Sequence, residues 1–221
     1  MAEFDRLAFL ADGLRALNLR VPPGALPQLL WFLDELMRWN RRSNLTAITD
    51  PREAIEKHLL DSLTPLPLLP AAPRLLDLGS GGGFPGIPLQ LARPELRLVS
   101  VDAVGKKIAF QRHALRALGL SQAEALHERA EALPARPGFQ AGFDLIVSRA
   151  FASLTDFSRH ALPCLAPRGF LLAMKGPEGG RELAESRPQL AAVGLESTDL
   201  HRLRLPVSRA ERTLIVLRRV Q

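Results

Sequence analysis

The stretch Leu75-Leu-Asp-Leu-Gly-Ser-Gly-Gly-Gly-Phe-Pro-Gly86 decides how this chain folds. Four residues of strand character run into a segment in which five of eight residues are glycine. A glycine-rich turn between a strand and a helix is the first βα connection of a doubly wound sheet, where a nucleotide-like ligand lies. Glycine lets the backbone turn sharply there and lets a ligand approach with no Cβ in the way. Outward from this loop the pattern repeats. Apolar runs at 74–78, 96–101, 123–127, 143–147 and 170–174 alternate with helical stretches, which predicts βαβ units and a parallel sheet covered on both faces. Runs at 195–205 and 213–220 flank the turn Pro206-Val-Ser-Arg209 and read as an antiparallel pair at the end of the sheet.

Upstream of the loop the reading is helical. Phe4, Leu7, Leu10, Leu14 and Leu17 mark one helix face, and residues from Leu29 to Met37 mark a second. Asp50-Pro51-Arg-Glu53 supplies an N-cap, a proline at the first helical position and an acidic first turn for a third helix ending near Ser62. The expected architecture is α/β, doubly wound and Rossmann-like, with an N-terminal helical cap. Residues 1–63 form the helical extension packed on the core, 64–73 a Pro-rich linker, and 74–221 the main domain.

At 221 residues and 47% hydrophobic, the chain has ample material for a packed core, which excludes wholesale disorder. Net charge is +6, and 25 of the 29 basic residues are arginine. Arginine reads phosphate and stacks on bases better than lysine, so a polyanionic partner fits, as does a GC-rich genome. A single cysteine, Cys164, excludes a disulfide framework and a cysteine-based zinc site, and no metal is expected. The first residues mix acids and bases through their apolar positions, unlike a signal peptide. No uninterrupted apolar run is long enough to span a membrane. The expectation is a cytoplasmic protein.

Two cofactor classes compete for the loop. Gly81, Gly83 and Gly86 match the G-x-G-x-x-G spacing of dinucleotide binders. Asp77-x-Gly79-x-Gly81-x-Gly83 matches the opening of S-adenosylmethionine (SAM) methyltransferases. A carboxylate at Asp77, placed at the mouth of the loop, repels a pyrophosphate and attracts the ammonium and sulfonium of SAM, which favours the second class. Asp102, ending the run Leu98-Val-Ser-Val-Asp, takes ribose hydroxyls in either case.

Several segments then carry a specific likeness. The loop with its Phe84-Pro-Gly-Ile-Pro88 tail resembles that of the RsmG family (GidB, glucose-inhibited division protein B). So do Trp39-Asn40 with Asn44-Leu-Thr46, Lys57-His-Leu-Leu-Asp-Ser62, Ser148-Arg-Ala-Phe-Ala-Ser153, Met174-Lys-Gly176 and Glu211-Arg212. The resemblance runs through nearly the whole chain in order. It implies a SAM-dependent methyltransferase fold and a bacterial enzyme that methylates N7 of one guanine in the decoding-region loop of 16S rRNA. It implies a partner that is 16S rRNA, the small subunit or an assembly intermediate; separately, the chain is expected to be a monomer. Carried over by position, its cofactor contacts fall on Gly79, Phe84, Ala130, Glu131 and Arg149, and more loosely on Ala103 and Val104 after Asp102.

The residues fit that chemistry. Guanine N7 has an in-plane lone pair and attacks a methyl sulfonium without deprotonation, so positioning and desolvation suffice and no general base is expected. The Asn/Asp-Pro-Pro-aromatic turn of amine methylating enzymes is replaced by Ser148-Arg-Ala-Phe151. Cytosine C5 methylation needs a thiolate nucleophile, and Cys164 reads instead as a small buried residue. Arg149 is the candidate catalytic residue, holding guanine O6, a phosphate or the cofactor carboxylate. Phe151 either stacks on a flipped base or packs. His58 and Asp61 share a helix face and read as a contact between cap and sheet. Arg38, Arg41, Arg42, Lys175, Arg209 and Arg212 are candidate RNA contacts. Two basic clusters, one around residues 38–57 and one around 202–219, form an RNA track if the fold brings them to one rim. A nicotinamide-dependent oxidoreductase and a non-catalytic RNA-binding protein of the same fold are the alternatives.

Overall fold

The structure, a computed structural model, describes residues 4–71, 73–149, 151 and 153–220. Helices α1 (Arg6–Ala16) and α2 (Ala25–Ser43) open the chain. A third helical run begins as α3 (Pro51–Ala54), widens into a π-helical turn (Ile55–Leu60) and closes as α4 (Asp61–Leu63), where the sequence predicts one regular helix. Its start is as read: the Asp50 carboxylate accepts a hydrogen bond from the Glu53 N–H at 2.8 Å. Widened turns of this kind recur at functional sites, and this one carries Glu56, Lys57 and His58.

Seven strands follow: β1 (Arg74–Leu78), β2 (Arg97–Asp102), β3 (Ala123–His127), β4 (Phe143–Ser148), β5 (Leu165–Lys175), β6 (Leu195–Arg204) and β7 (Glu211–Arg219). They form one sheet in the order β3-β2-β1-β4-β5-β7-β6. The first five are parallel, and β7 runs antiparallel between β5 and β6. The order reverses between β1 and β4, which leaves a crevice above the carboxyl ends of those strands. The connections are made by α5 (Gly86–Ala92), α6 (Gly105–Ala117), α7 (Leu154–Ala161) and α8 (Gly179–Ala192). Among the described residues no helix is long and apolar enough to cross a membrane.

β5 starts at Leu165, five residues before the run at 170–174. Pro167 and Gly169 look like a break in the sequence. The strand passes through them because its ladder with β4 shifts register between Phe143 and Leu145, where two residues of β4 stand against five of β5, and such an irregularity absorbs the extra residues without ending the strand.

Side chains alternate across the sheet and build two cores. Leu76, Leu78, Ile146, Leu171 and Ile215 face α7 and α8. Leu75, Leu145, Val147, Leu172 and Val216 face the other way, into one cluster with α5, α6 and the whole N-terminal layer. Leu66 and Leu69 of the Pro-rich stretch are buried in that cluster too, so this segment packs and does not hang free. The centre of the shared core is aromatic. Phe32 of α2 stacks on Phe110 of α6 at 5.7 Å and lies 5.1 Å from Phe84 of the glycine loop.

Buried carboxylates fix the layer to the sheet. Glu56 accepts from the Val207 and Ser208 N–H groups at 2.6 and 2.9 Å, tying the β6–β7 turn to the π-helical segment. Glu35 of α2 accepts from the Trp39 indole at 3.1 Å and lies 3.0 Å from His113 Nε2 of α6. The other tryptophan, Trp31, lies on the exposed side of α2.

Because Phe32 is fully buried between two further rings, Phe32→Ala leaves a cavity in the shared core. The expected loss is about 3–5 kcal/mol of unfolding free energy, read from urea denaturation followed by circular dichroism.

Candidate functional site

The glycine loop leaves β1 and doubles back under its own hydrogen bonds. The Gly79 and Ser80 N–H groups both donate to the Val101 carbonyl at 2.9 Å, and Gly83 N–H donates to the Ser80 carbonyl at 2.8 Å. Gly83 has φ +92°, and a Cβ there would stand 2.6 Å from Ile87, so a side chain is excluded twice over. Gln111 of α6 donates to Ser80 Oγ and to the Gly81 carbonyl, each at 2.8 Å.

Two carboxylates complete the hold. Asp102, at the end of β2, accepts from Gly81 N–H through Oδ2 and from Val104 N–H through Oδ1, both at 2.8 Å. Each of its oxygens retains a further lone-pair direction. Asp77 is not at the mouth of the loop, as the sequence reading has it. It points into the shared core from β1, is 0% exposed, and accepts from Gly86 N–H at 2.8 Å. Gly86 makes room for it, since a Cβ there would lie 2.8 Å from Asp77 Oδ2. Burial pushes the Asp77 carboxyl up to about 7, against the Gly86 hydrogen bond and the Arg149 charge, which pull it down. Its Oδ1 has no hydrogen-bond partner among the described residues.

The N-terminal layer roofs the loop. Asn40 Oδ1 accepts from the Leu45 and Thr46 N–H groups at 2.6 and 2.9 Å, and Asn44 turns the chain in the left-handed region. Thr46 Oγ1 accepts from Ile48 N–H and lies 2.9 Å from His58 Nε2. The His58 ring lies on Phe84 with centroids 4.8 Å apart. Burial, then the Arg149 charge, lowers the His58 pKa to about 4, so the ring is neutral at physiological pH. A cavity of about 150 Å³ is lined by Thr46, His58, Phe84, Arg149 and residues 79–82 of the loop.

Arg149, at the end of β4, donates to the Lys57 carbonyl at 2.9 Å, stands 3.7 Å from Asp61 and lies over the Phe84 ring at 5.5 Å. Burial lowers its pKa, but a guanidinium starts so high that it stays charged. Asp61 also takes a hydrogen bond from Arg212 at 2.9 Å. His58 and Asp61 therefore join cap and sheet, as their shared helix face suggested.

The remaining candidates fall around this centre. Ala103 and Val104 are exposed just past β2, and Ala130 and Glu131 open the 3₁₀ turn Ala130–Ala135 after β3. Glu131 lies 3.3 Å from His160 of α7. The loop, Asp102, this turn and Arg149 thus follow the carboxyl ends of four neighbouring strands. Lys175 does not face a phosphate: its ammonium is bonded to the Phe151 carbonyl at 3.1 Å and to Glu182 at 2.9 Å, and so braces the turn after β4. Phe151 packs near Phe157 and His160; Ala150 and Ala152 of the same segment lie outside the described residues. Cys164 is buried in the opposite core, with its thiol pushed up to about 11 by burial. Arg38, Arg41 and Arg42 line a groove of about 460 Å³ beside Trp39. Arg202, Arg204 and Arg212 line another of about 420 Å³, and Arg209 is exposed in the β6–β7 turn. Sequence reasoning missed Thr46 and the Lys57 carbonyl as parts of the site. A backbone oxygen leaves no trace in residue identity, and Thr46 had only its place in a loop.

Asp77 generates a pH dependence. Its folded pKa of about 7 lies above the ordinary 3.8, so the folded state keeps a proton that the unfolded state has lost. Stability therefore falls as pH rises through that window and levels off above it. Asp77→Asn removes this term. The variant should melt above the wild type at pH 8, and the difference should shrink as pH falls from about 7 and close only below the ordinary value of 3.8.

Comparison with known proteins follows the same outline. The family described as rRNA small subunit methyltransferase G (GidB) matches residues 25–213. Proteins named Ribosomal RNA small subunit methyltransferase G match along nearly their full lengths. That of Syntrophotalea carbinolica is 47% identical over 95% of this chain and 96% of its own. That of Myxococcus xanthus is 44% identical over 94% of each. Among solved structures, a SAM dependent methyltransferase from Aquifex aeolicus superposes with a TM-score of 0.59 at 16% identity, covering 79% of this chain and 97% of that one. A ribosomal protein L11 methylase from Lactobacillus delbrueckii subsp. bulgaricus gives 0.55 at 15% identity, over 75% and 79%. At such identities these two support the fold alone. The family match over residues 25–213 and the full-length relatives establish that the chain belongs to the GidB family of rRNA small subunit methyltransferase G proteins.

Proposed function

We propose that this protein transfers the methyl group of SAM to N7 of a guanine in the decoding-region loop of 16S rRNA, acting as a cytoplasmic monomer on the rRNA or small subunit. The observation that carries the reading is the crevice itself. A glycine loop strapped by the carboxylate at the end of β2 and a charged arginine at the end of β4 line one cavity in a chain of this family.

The residues fit the cofactor. Open space stands over Gly81, where a Cβ would meet nothing within 4 Å. Asp102 offers its remaining lone pairs to ribose hydroxyls, Ala103, Val104 and Ala130 offer apolar contact to an adenine, and Glu131, in the turn after β3, is assigned to the same ligand. Arg149 faces residues 79–82 and pairs with the cofactor's carboxylate. When bound, SAM supplies an electrophilic methyl carbon on a sulfonium.

The protein's part is positioning. The N7 lone pair takes the methyl in line as the bond from sulfur breaks, and no proton leaves. The roof of Thr46, His58 and Phe84 excludes water from the loop. Neutral His58 is committed to Thr46 and to Phe84, which suits a wall and not a base. The two arginine grooves, one at the end of α2 and one on β6 and β7, bear charge complementary to RNA phosphates, and binding should weaken with salt.

The test is methyl transfer from labelled SAM to 16S rRNA lacking the modification, followed by borohydride and aniline cleavage at 7-methylguanine. A single cleavage in the decoding-region loop is expected, with the rate down about a hundredfold or more in Arg149→Ala. Label without cleavage would rule out N7. SAM binding without label on rRNA or small subunits would favour a non-catalytic role.

A further inference from the structure

Asp61 lies between two arginines that the fold brings together from distant parts of the chain. Arg149 leaves the end of β4, and Arg212 stands at the start of β7. The pairing of Lys175 with Thr213 puts that start beside the end of β5, on the same rim of the sheet. Two guanidinium groups on one rim repel each other, and the carboxylate between them is almost wholly buried. It is shared unequally. Arg212 Nε bonds Asp61 Oδ1 at 2.9 Å, whereas Arg149 Nη1 stands 3.7 Å from Oδ2 and spends its hydrogen bond on the Lys57 carbonyl at 2.9 Å. Arg149 lines the cavity against the glycine loop; Arg212 does not touch that cavity and lines the groove on the far side of Asp61.

We propose that Arg212 is a positioning residue for the cofactor site: by engaging Asp61 it keeps that carboxylate from closing on Arg149, and so leaves the Arg149 guanidinium incompletely paired and able to bind the cofactor's carboxylate. This rests on the reading of Arg149 given above. Three charged groups share one negative charge between two positive ones, and the residual positive charge is kept on the cavity side. Without Arg212, Asp61 has one partner left. It then pairs fully with Arg149, because a buried carboxylate beside a single guanidinium gains most by closing the bond. The effect passes through Asp61, so removing the Asp61 charge cancels it.

Calorimetric titration of SAM into the protein, without RNA, separates this from any role of Arg212 in binding RNA. Arg212→Gln is expected to weaken SAM binding about tenfold, and Asp61→Asn in the same chain to restore it to within about twofold of wild type. Asp61→Asn alone should bind no more weakly than wild type, and melting curves of each variant verify folding. Wild-type affinity in folded Arg212→Gln, or a double variant no better than Arg212→Gln, would overturn the proposal. So would weakened binding in folded Asp61→Asn, which also decides the matter if Arg212→Gln does not fold. Wild-type protein that binds no SAM would instead overturn the cofactor reading itself.

Discussion

Backbone N–H groups of the glycine loop bonded to two carboxylates are the constraint on which the rest of the site depends. A loop this rich in glycine has much conformational freedom to lose, and the bonds from Gly79 and Ser80 to the Val101 carbonyl of β2 fix only its start. Asp77 fixes it from below through Gly86, and Asp102 fixes it from the side through Gly81. The two hold it differently. Asp102 is satisfied on both oxygens and keeps lone pairs for a ligand, whereas Asp77 is sealed in the core and bears the energetic cost of an uncompensated oxygen. The loop is thereby presented as a fixed cradle.

The N-terminal layer acts as the second half of the site. Its contribution is apolar in bulk and ionic at chosen points: Glu35, Glu56 and Asp61 are all nearly buried and all bonded across element boundaries. Buried charge of this kind adds little net stability, because desolvation offsets most of the attraction. Removing one partner is costly, however, so such pairs fix which surfaces meet. The same helical run supplies the His58 ring to the crevice and holds Arg149 there through the Lys57 carbonyl and the Asp61 carboxylate. Roof and cradle are therefore one assembly with a common core.

Much of this was legible in the residues. The spacing of glycines after β1, the apolar runs of the parallel strands and the Asp50-Pro51 helix start are local signals, and local physics fixes them. The Asn40 loop and the pairing of His58 and Asp61 with the sheet were readable from residue type and helical spacing. What escaped depends on contacts far apart in sequence. Asp77 looks like a ligand group until the missing Cβ of Gly86 shows where it is buried. Lys175 looks free until Glu182 and the Phe151 carbonyl are placed beside it. The early start of β5 depends on a register shift with another strand, and the sharing of Asp61 depends on strand order. None of these leaves a pattern within a window of one element.

The two tryptophans have an optical consequence. The chain has no tyrosine, and both Trp31 and Trp39 lie on α2, so near-ultraviolet emission arises from the roof while the sheet beneath stays dark. Trp31 faces solvent, whereas Trp39 is pinned through Glu35 beside Phe110 and the imidazole of His113, a group able to quench indole when protonated. Leu36, on the same helix, touches the glycine loop. The molecule thus carries a native reporter whose emission follows the seating of the roof on the cradle, with no label attached.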